Sequence, residues 1–303
     1  MKAAAFNRPG GPEVLELMEV PTPEPGPGEL RVRVRAAGVQ PFDLAVRAGW
    51  MPAGLPDGFP RVPGNEFAGV VDRLGTGAAG PAAGTEVVGF TRLTAYAEYV
   101  VVPADQVAPK PAGMPWEVAG GFSAAVQTPH IALEALGVGE GDTVLVHAAA
   151  GGVGSVAVQL ARIAGAAVIG TASPANHDYL RSLGAVPVAY GEGLEDRLRA
   201  AAPDGVDAVI DGAGGEALEV SLRLVKDPAQ IITLVEHDRA AGLGVRLTPH
   251  RRSAARLTDA FRHYEAGRLR IHLRGVFPLA RAADAHRELA TGHGRGKVVL
   301  VVD

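Results

Sequence analysis

Short segments in which apolar and polar side chains alternate fill the first 110 residues. Residues 29–37 place Leu30, Val32 and Val34 between arginines, and this period of two predicts a strand with one solvent-facing side. A run of Pro and Gly at 21–28 sets its start, because proline cannot continue a helix or a central strand. Further strands are predicted at 66–74, 86–90 and 97–102. Strands at this spacing, with turns between them, predict a barrel-like β unit.

The pattern changes at about residue 116. An alanine-rich run at 116–136 predicts a helix that ends at Gly137 and breaks at Pro129. Beyond it, predicted strands alternate with predicted helices. The strands are 143–148, 166–171, 186–190, 206–211 and 230–235, and the helices are 153–164, 175–183, 194–201 and 215–225. Such a βαβα order predicts a parallel sheet with helices on both faces.

The C-terminal part carries two predicted helices, 253–266 and 280–290, and one final strand, 297–302. A lone strand needs a sheet to join, so we expect it to return to the first, β-rich unit. The predicted fold is therefore α/β: a β-rich domain made of residues 1–120 and 273–303, with a doubly wound parallel-sheet domain, residues 121–272, inserted into it.

Composition excludes several classes of function. The 303 residues are 47% hydrophobic and 20% charged, as in ordinary globular proteins. There is no cysteine, which excludes disulfides, thiolate nucleophiles and cysteine-ligated zinc. A net charge of −4 argues against nucleic acid as a partner. The N-terminal segment lacks a signal-peptide pattern and no apolar run reaches the length of a membrane span, so we expect a cytoplasmic protein with no membrane partner.

One dense basic segment, His250-Arg251-Arg252 with Arg246 and Arg256 nearby, lies at the start of the helix predicted at 253. We interpret it as the solvated start of that helix, with contact to a phosphate as the less favoured alternative.

The predicted strand at 143–148 runs into Ala149-Ala150-Gly151-Gly152-Val153-Gly154 and then into a helix. This order is typical of a dinucleotide-binding loop in which Ala149 replaces the first glycine. Gly151 would let the backbone approach a pyrophosphate and Gly154 would let the helix pack on the strand, while the helix N-terminus supplies N–H donors to the anion. We therefore predict a bound dinucleotide.

The residues after the next strand favour NADPH over NADH. An acidic residue about 20 positions on would bond the ribose 2′-hydroxyl of NADH. Here Thr171-Ala172-Ser173 carries no carboxylate, and the first acid is Asp178. Ser173, Asn176 and His177 instead offer donors to a 2′-phosphate. Ser173-Pro174 is also a typical N-cap and N1 pair, and both roles are compatible.

Several motifs together resemble the zinc-free quinone oxidoreductase branch of the medium-chain dehydrogenase/reductases, which includes zeta-crystallin and the enoyl reductases. The motifs are Pro9-Gly10-Gly11-Pro12-Glu13-Val14-Leu15, Ala37-Gly38-Val39-Gln40-Pro41-Phe42-Asp43, Pro63-Gly64-Asn65-Glu66-Phe67-Ala68-Gly69, the 149–161 loop and helix, and Arg295-Gly296-Lys297-Val298-Val299-Leu300. The resemblance implies a GroES-like β-rich catalytic domain and an inserted Rossmann domain that binds NADP.

The resemblance also implies a set of site residues. Gln40, Asp43, Asn65 and Thr128 would lie near the nicotinamide. The implied cofactor contacts are Ala149, Gly151, Gly152, Val153, Gly154, Thr171, Ser173, His177 and Tyr190. The strand end at Asp211-Gly212-Ala213 would lie beside the cofactor, because ligands bind at the carboxyl ends of such strands.

Zinc-dependent relatives hold their metal with Cys and His where this chain has Gln40 and Asn65. Since neither amide is a suitable zinc ligand, we expect no zinc. Without a Lewis acid, the implied reaction is hydride transfer from NADPH to an already polarised acceptor, a quinone or an α,β-unsaturated carbonyl.

Two positions depart from the branch. Gln40 replaces the usual Asn and is one methylene longer, which would reshape the acceptor pocket. Enoyl reductases carry a Tyr where this chain reads Gly49-Trp50-Met51-Pro52. We interpret Trp50 and Met51 as an apolar lid over the substrate pocket rather than as a stacking surface. Asp43 either orients the Gln40 loop or acts as an acid, and the sequence leaves both open.

Three functions remain at this level. The leading one is an NADPH-dependent quinone or enone reductase; the second is a tailoring enoyl or ketoreductase of a biosynthetic pathway; the third is a non-catalytic NADPH-binding sensor. We also expect a homodimer that forms through the apolar edge strand predicted at 230–235.

Overall fold

The computed structural model describes residues 1–51, 54, 58–292 and 294–303. Its strands are β1 (Lys2–Ala5), β2 (Glu16–Glu19), β3 (Glu29–Val39), β4 (Glu66–Leu74), β5 (Glu86–Phe90), β6 (Tyr99–Pro103), β7 (Val107–Pro109), β8 (Thr143–Val146), β9 (Ala167–Ala172), β10 (Val186–Ala189), β11 (Ala208–Asp211), β12 (Ile231–Thr233), β13 (Arg246–Leu247), β14 (Leu273–Pro278) and β15 (Lys297–Val301). Its α-helices are α1 (Pro41–Ala48), α2 (Trp116–Gly120), α3 (Phe122–Leu136), α4 (Gly154–Ile163), α5 (His177–Ser182), α6 (Leu194–Ala201), α7 (Glu216–Leu224), α8 (Ala240–Leu243), α9 (Ala254–Glu265) and α10 (Ala282–Ala290).

The chain divides into two compact units. The first contains residues 1–124, 252–262 and 271–303, and the second contains residues 125–251 and 263–270. Each has its own sheet and its own apolar core.

The first unit is built on a seven-stranded sheet. Its strands run in the order β14–β15–β3–β4–β5–β7, and β6 pairs with β3. The alternation predicted at 29–37 holds for Leu30, Val32 and Val34, which are buried in the core, and for Arg33, which is exposed. It is wrong at Arg31, which is only 7% exposed and pairs with Asp72 and Glu24. The C-terminal strand joins this sheet, as predicted: β15 pairs antiparallel with β3 and parallel with β14.

The second unit is a doubly wound sheet of six parallel strands in the order β10–β9–β8–β11–β12–β13. Counted from β8, this is the order 3-2-1-4-5-6 of a dinucleotide-binding sheet. Apolar side chains from adjacent strands fill its core, among them Leu145, Ile169, Val209 and Ile231. The predicted parallel sheet is confirmed.

Two predictions of local structure were wrong. The predicted helix at 116–136 breaks at Gly121, between α2 and α3, and continues through Pro129. A proline removes one helical hydrogen bond, and here the burial of the surrounding turn outweighs that loss. The strand predicted as a sheet edge at 230–235 is flanked by β11 and β13. The two-residue β13 was missed because so short a segment shows no periodicity.

None of the helices in the described parts of the chain has the length and apolarity that a membrane span requires.

Candidate functional site

The start of α1 is organised by the buried carboxylate of Asp43. It accepts hydrogen bonds from the backbone N–H of Gln40 at 2.8 Å, from the N–H of Gly64 at 3.1 Å and from the hydroxyl of Tyr96 at 3.1 Å. Burial raises the pKa of Asp43 to about 7. Because Gln40 and Gly64 both donate to it, the carboxylate of Asp43 links the turn at Gln40 to the loop before β4.

Tyr96 and His286 extend this network and were not predicted. The Tyr96 hydroxyl lies 3.4 Å from Nε2 of His286, whose Nδ1 lies 3.3 Å from a guanidinium nitrogen of Arg47. Burial lowers the pKa of His286 to about 3, so the ring is neutral and accepts from Arg47. The residues are far apart in sequence and carry no local signal.

Glu66 is the second buried carboxylate of the first unit. Its Oε1 accepts from Nζ of Lys297 at 2.7 Å and from Nε2 of Gln40, and its Oε2 accepts from the N–H of Ala124 at 2.6 Å. Ala124 lies in the first turn of α3, where N–H groups lack helical partners. The carboxylate of Glu66 therefore holds the side-chain amide of Gln40 in place.

Asn65 precedes Glu66 and is only 5% exposed. Its side-chain oxygen is buried and has no hydrogen-bond partner among the described residues. Its backbone oxygen accepts from the N–H of Thr91 at 3.1 Å and from the guanidinium of Arg252 at 3.3 Å. Arg252 is half-buried, and burial lowers its pKa. The interpretation of the 250–256 segment as uniformly solvated is therefore wrong at Arg252.

This donor set does not suit zinc. Gln40 and Asn65 stand where zinc-dependent relatives have Cys and His. Both carboxylate oxygens of Glu66 already accept hydrogen bonds from protein donors, one of which is the ammonium group of Lys297. Within the described ranges, no group of three or more His, Cys, Asp or Glu side chains is placed to hold a metal ion. The residues present fit a network of internal hydrogen bonds instead.

The two pocket residues predicted after α1 differ in exposure. Trp50 is 39% exposed and its ring lies 5.7 Å from that of Phe42, edge to face. Met51 is half-buried, and Arg61 lies 2.7 Å from its sulfur. Pro52, the last residue of the departing motif, lies outside the described residues.

In the second unit, the loop between β8 and α4 has the shape of a phosphate cradle. Ala149 donates its N–H to the carbonyl of Thr171 at 3.0 Å, and Gly151 donates to the carbonyl of Ala148 at 3.0 Å. A Cβ on Gly154 would overlap the carbonyl oxygen of Ala148. The N–H groups of residues 152–154 donate to no backbone carbonyl of the described chain. These groups at the start of α4 fit a pyrophosphate.

The residues after β9 are polar and partly accessible. Ser173 begins a short turn of 3₁₀ helix, and its hydroxyl accepts from the side chain of Asn176 at 3.2 Å. His177 opens α5, and its ring lies 3.4 Å from the carbonyl of Ala172. Tyr190, after β10, is 52% exposed. No carboxylate belongs to this turn, which suits a ribose phosphate better than a free 2′-hydroxyl.

Thr171 has a role that the sequence did not predict. Its hydroxyl lies 2.9 Å from Nδ1 of the buried His147, whose Nε2 lies 2.9 Å from the hydroxyl of Ser221. Since Ser221 donates to the carbonyl of Ala217, His147 donates through Nε2 and accepts from Thr171. Burial lowers the pKa of His147 to about 4. The ring stays neutral and fixes the strand end beside the cradle.

Asp211 holds the turn that follows β11. One of its carboxylate oxygens accepts from the N–H groups of Ala213 at 3.0 Å and Gly214 at 2.8 Å, and the other accepts from the hydroxyl of Thr233 at 2.8 Å. The carboxyl ends of β11 and β12 are therefore joined at the edge of the sheet where such folds bind ligands.

The structure groups the predicted residues by unit. Gln40, Asp43 and Asn65 lie together in the first unit through their contacts with Glu66 and Gly64. The second unit gathers the 149–154 loop with Thr171, Ser173 and His177. Thr128 is half-buried in α3, also in the second unit.

Comparisons with known proteins match both parts of the chain. A family described as "Alcohol dehydrogenase GroES-like domain" matches residues 26–112, and one described as "Zinc-binding dehydrogenase" matches residues 183–300. The quinone oxidoreductase of Coxiella burnetii is 33% identical and superimposes with a TM-score of 0.90, over 100% of this chain and 99% of that one. The chain belongs to the quinone oxidoreductase branch of the medium-chain dehydrogenase/reductases. The predicted family and fold class, a GroES-like domain with a Rossmann domain, are confirmed.

Two curated relatives of this reductase differ in architecture. The NADPH-dependent alkenal/one oxidoreductase of Arabidopsis thaliana is 31% identical over 99% of this chain and 79% of its own length. Polyketide synthase GfsB of Streptomyces halstedii is 33% identical over 88% of this chain, which corresponds to only 5% of that much longer protein. The same fold thus occurs both as a separate chain and within a large synthase.

Proposed function

We propose that this protein is an NADPH-dependent oxidoreductase that transfers a hydride to a quinone or an α,β-unsaturated carbonyl without zinc. The observation that carries the proposal is the cradle at residues 149–154, which follows β8 of the parallel sheet and in which the N–H groups of residues 152–154 donate to no backbone carbonyl of the described chain. The Coxiella and Arabidopsis relatives, named for quinone and alkenal reduction, support the acceptor class.

The preference for NADPH is supported by the turn after β9. Ser173, Asn176 and His177 offer hydroxyl, amide and imidazole groups where an NADH-binding protein would present a carboxylate. Thr171 precedes this turn at the end of β9 and Tyr190 follows the neighbouring strand β10, and we propose that both contact the cofactor. Bound there, NADPH would supply the hydride.

Zinc independence is supported by the contacts of Glu66. A zinc ion would compete with the ammonium group of Lys297 for the same oxygen, and the amides of Gln40 and Asn65 would supply weak ligands. We therefore propose that the acceptor must be polarised by its own conjugation.

For the residues of the first unit we propose distinct roles. Asp43 orients the Gln40 turn, since its carboxylate is buried and fully bonded. Gln40 and Asn65 form one wall of the acceptor site, and Trp50 and Met51 form an apolar lid. For Thr128, which belongs to the second unit, we propose a place near the nicotinamide.

Steady-state kinetics test the proposal. The purified protein, treated with a zinc chelator, is given NADPH or NADH with 1,4-benzoquinone, 2-hexenal and 3-buten-2-one. We expect oxidation of NADPH with at least one acceptor, a lower kcat/KM with NADH, and no effect of the chelator. Tight NADPH binding without turnover of any acceptor would indicate the non-catalytic sensor instead, and activity lost with the chelator and restored by zinc would refute the zinc-free mechanism.

A tailoring enoyl or ketoreductase is the second candidate, favoured by the similarity to a segment of a polyketide synthase. Product analysis separates these chemistries, because an enoyl reductase leaves the carbonyl intact whereas a ketoreductase converts it to an alcohol. The homodimer and the cytoplasmic location remain predictions. Size-exclusion chromatography with light scattering tests the first.

A further inference from the structure

Arg252 is a half-buried cation with little of its hydrogen-bonding capacity used. Its one hydrogen bond in the described chain goes to the backbone oxygen of Asn65 at 3.3 Å, although a guanidinium carries five N–H donors. None of the described carboxylates lies within 4.0 Å of it. Taking an arginine out of water costs free energy unless a negative group compensates it, so the site is prepared for an anionic partner.

The nearest buried carboxylates do not fill this need. Glu66 and Asp43 both act on the charge of Arg252, but only from a distance. Glu66 is paired with Lys297 at 2.7 Å, and Asp43 is bonded to three protein donors. Lys297 therefore forms an ion pair with Glu66, whereas Arg252 forms no ion pair with any described carboxylate.

A second observation lies beside the first. The side chain of Asn65 is buried, and in the part of the chain that the structure describes its oxygen has no hydrogen-bond partner. The amide nitrogen and oxygen exchange places by a rotation of the side chain, so the group can donate as well as accept. Arg252 thus contacts the backbone of the residue that carries this amide, so a charged donor and a neutral amide belong to two residues in direct contact, in the same unit as Gln40.

We propose that Arg252, with Asn65, binds a negatively charged oxygen of the electron acceptor. The inference rests on the proposed reductase function and adds a recognition element to it. The charged oxygen has two sources: a carboxylate that the acceptor carries throughout, or the carbonyl oxygen of an enone as its charge develops. Guanidinium groups suit both, since charge-assisted hydrogen bonds to oxyanions are stronger than neutral ones.

The second source follows from the electron balance of the reaction. The hydride from bound NADPH forms a C–H bond at the β-carbon of the enone, leaving NADP⁺. The carbon–carbon π bond breaks and its electron pair moves toward the carbonyl oxygen, which gives an enolate. A proton from water then converts the enolate to the saturated ketone. The oxygen is most negative after hydride transfer, so a fixed cation stabilises that state more than the neutral enone.

Two matched acceptors distinguish the sources. 4-Oxo-2-pentenoate and its amide share the enone and differ only in charge. If Arg252 binds a fixed carboxylate, Arg252→Met lowers kcat/KM for the acid about tenfold to a hundredfold and hardly changes that for the amide. If it binds the developing enolate, the same variant lowers kcat for both acceptors by similar factors and leaves KM nearly unchanged.

The controls use the neighbouring arginine and the conservative variant. Arg251 is exposed and lies 4.0 Å from Glu134, so Arg251→Met should leave all constants within about twofold. Arg252→Lys keeps the charge and should retain more activity than Arg252→Met. The thermal midpoint and the NADPH affinity of each variant are measured alongside to show that it is folded.

Direct binding separates this inference from the function on which it rests. Levulinate and its amide, which lack the carbon–carbon double bond of the enone, are titrated calorimetrically into the protein with NADP⁺. A fixed-carboxylate site predicts that levulinate binds more tightly than the amide and that Arg252→Met abolishes the difference. If wild-type protein turns over neither these two acceptors nor 1,4-benzoquinone, 2-hexenal or 3-buten-2-one, the proposed reductase function fails whatever the anion does. If turnover and binding in Arg252→Met stay within twofold of wild type, or Arg251→Met causes an equal loss, the anion site is refuted.

Discussion

Lys297 Nζ lies 2.7 Å from Oε1 of Glu66, and both side chains are buried although 231 residues separate them. Lys297 opens the last strand of the chain and Glu66 opens β4. The same carboxylate holds the amide of Gln40 and the first turn of α3. One ion pair thus connects the C-terminal strand to the turn that carries the candidate acceptor site.

Replacing Lys297 by Met should be strongly destabilising. The variant leaves Glu66 buried with its charge uncompensated, a change that typically costs about 3–5 kcal/mol of the free energy of unfolding. Urea unfolding followed by circular dichroism measures the loss. The double variant Glu66→Gln/Lys297→Met removes both charges and should be more stable than Lys297→Met alone. Arg262→Met, at the exposed pair with Asp259, serves as the control and should change little.

Gly38→Ala should also disturb this pair. A Cβ at Gly38 would overlap the carboxylate of Glu66, so Glu66 must shift away from Lys297 and Gln40. We expect a loss of about 1–3 kcal/mol in the free energy of unfolding. Gly113→Ala is the matched control, since a Cβ there meets no atom within 4 Å. Equal stability of the two variants would contradict the role assigned to Gly38.

Gly154→Ala should weaken cofactor binding. The added Cβ would overlap the carbonyl oxygen of Ala148, which is backbone and can move only by distorting the cradle. We expect the Kd for NADPH to rise by about tenfold or more, because the N–H groups at the start of α4 lose their alignment. Fluorescence titration with NADPH measures it. Gly139→Ala, which meets no atom within 4 Å, should bind as wild type does.

Asp43 should make the protein less stable as the pH rises. Its pKa is raised by burial from 3.8 to about 7, so the folded state keeps a proton that the unfolded state releases. The contribution of Asp43 to the free energy of unfolding is therefore largest below pH 4. It decreases by on the order of 4 kcal/mol as the pH rises to 7. Asp43→Asn does not titrate. The difference in free energy of unfolding between wild type and this variant should fall over that range, and a constant difference would contradict it.

His147 should have the opposite effect. Burial lowers its pKa from 6.5 to about 4, so protons bind to the unfolded state first. The contribution of His147 to the free energy of unfolding is largest above pH 6.5. It decreases by on the order of 3 kcal/mol as the pH falls to 4. His147→Gln lacks this titration. The stability of wild type relative to the variant should therefore rise between pH 4 and pH 6.5, and a flat profile would show that the ring is not buried as a neutral group.

Local pattern was sufficient for much of the fold. The strands β4 and β5 and the helix α6 begin and end at the predicted residues. The helix α6 buries one face through Leu194 and Leu198, whereas β4 and β5 are short apolar runs whose burial does not alternate. The loop at 149–154 could also be predicted from the sequence, because such a loop consists of a strand, a glycine-rich segment and a helix that are consecutive in the chain. Segments with few residues, such as β13, left no pattern to read.

The sequence by itself determined the features that depend on residues close together in the chain. These are the type of many helices and strands, their alternation along the chain, and the phosphate-binding loop. The tertiary structure alone decided which distant side chains share a charge. Glu66 forms an ion pair with Lys297, and Asp43 accepts a hydrogen bond from Tyr96. Arg252 contacts Asn65 and has no carboxylate of the described residues within 4.0 Å. Such pairings depend on burial and distance between strands, and neither quantity is encoded in the spacing of residues along the chain.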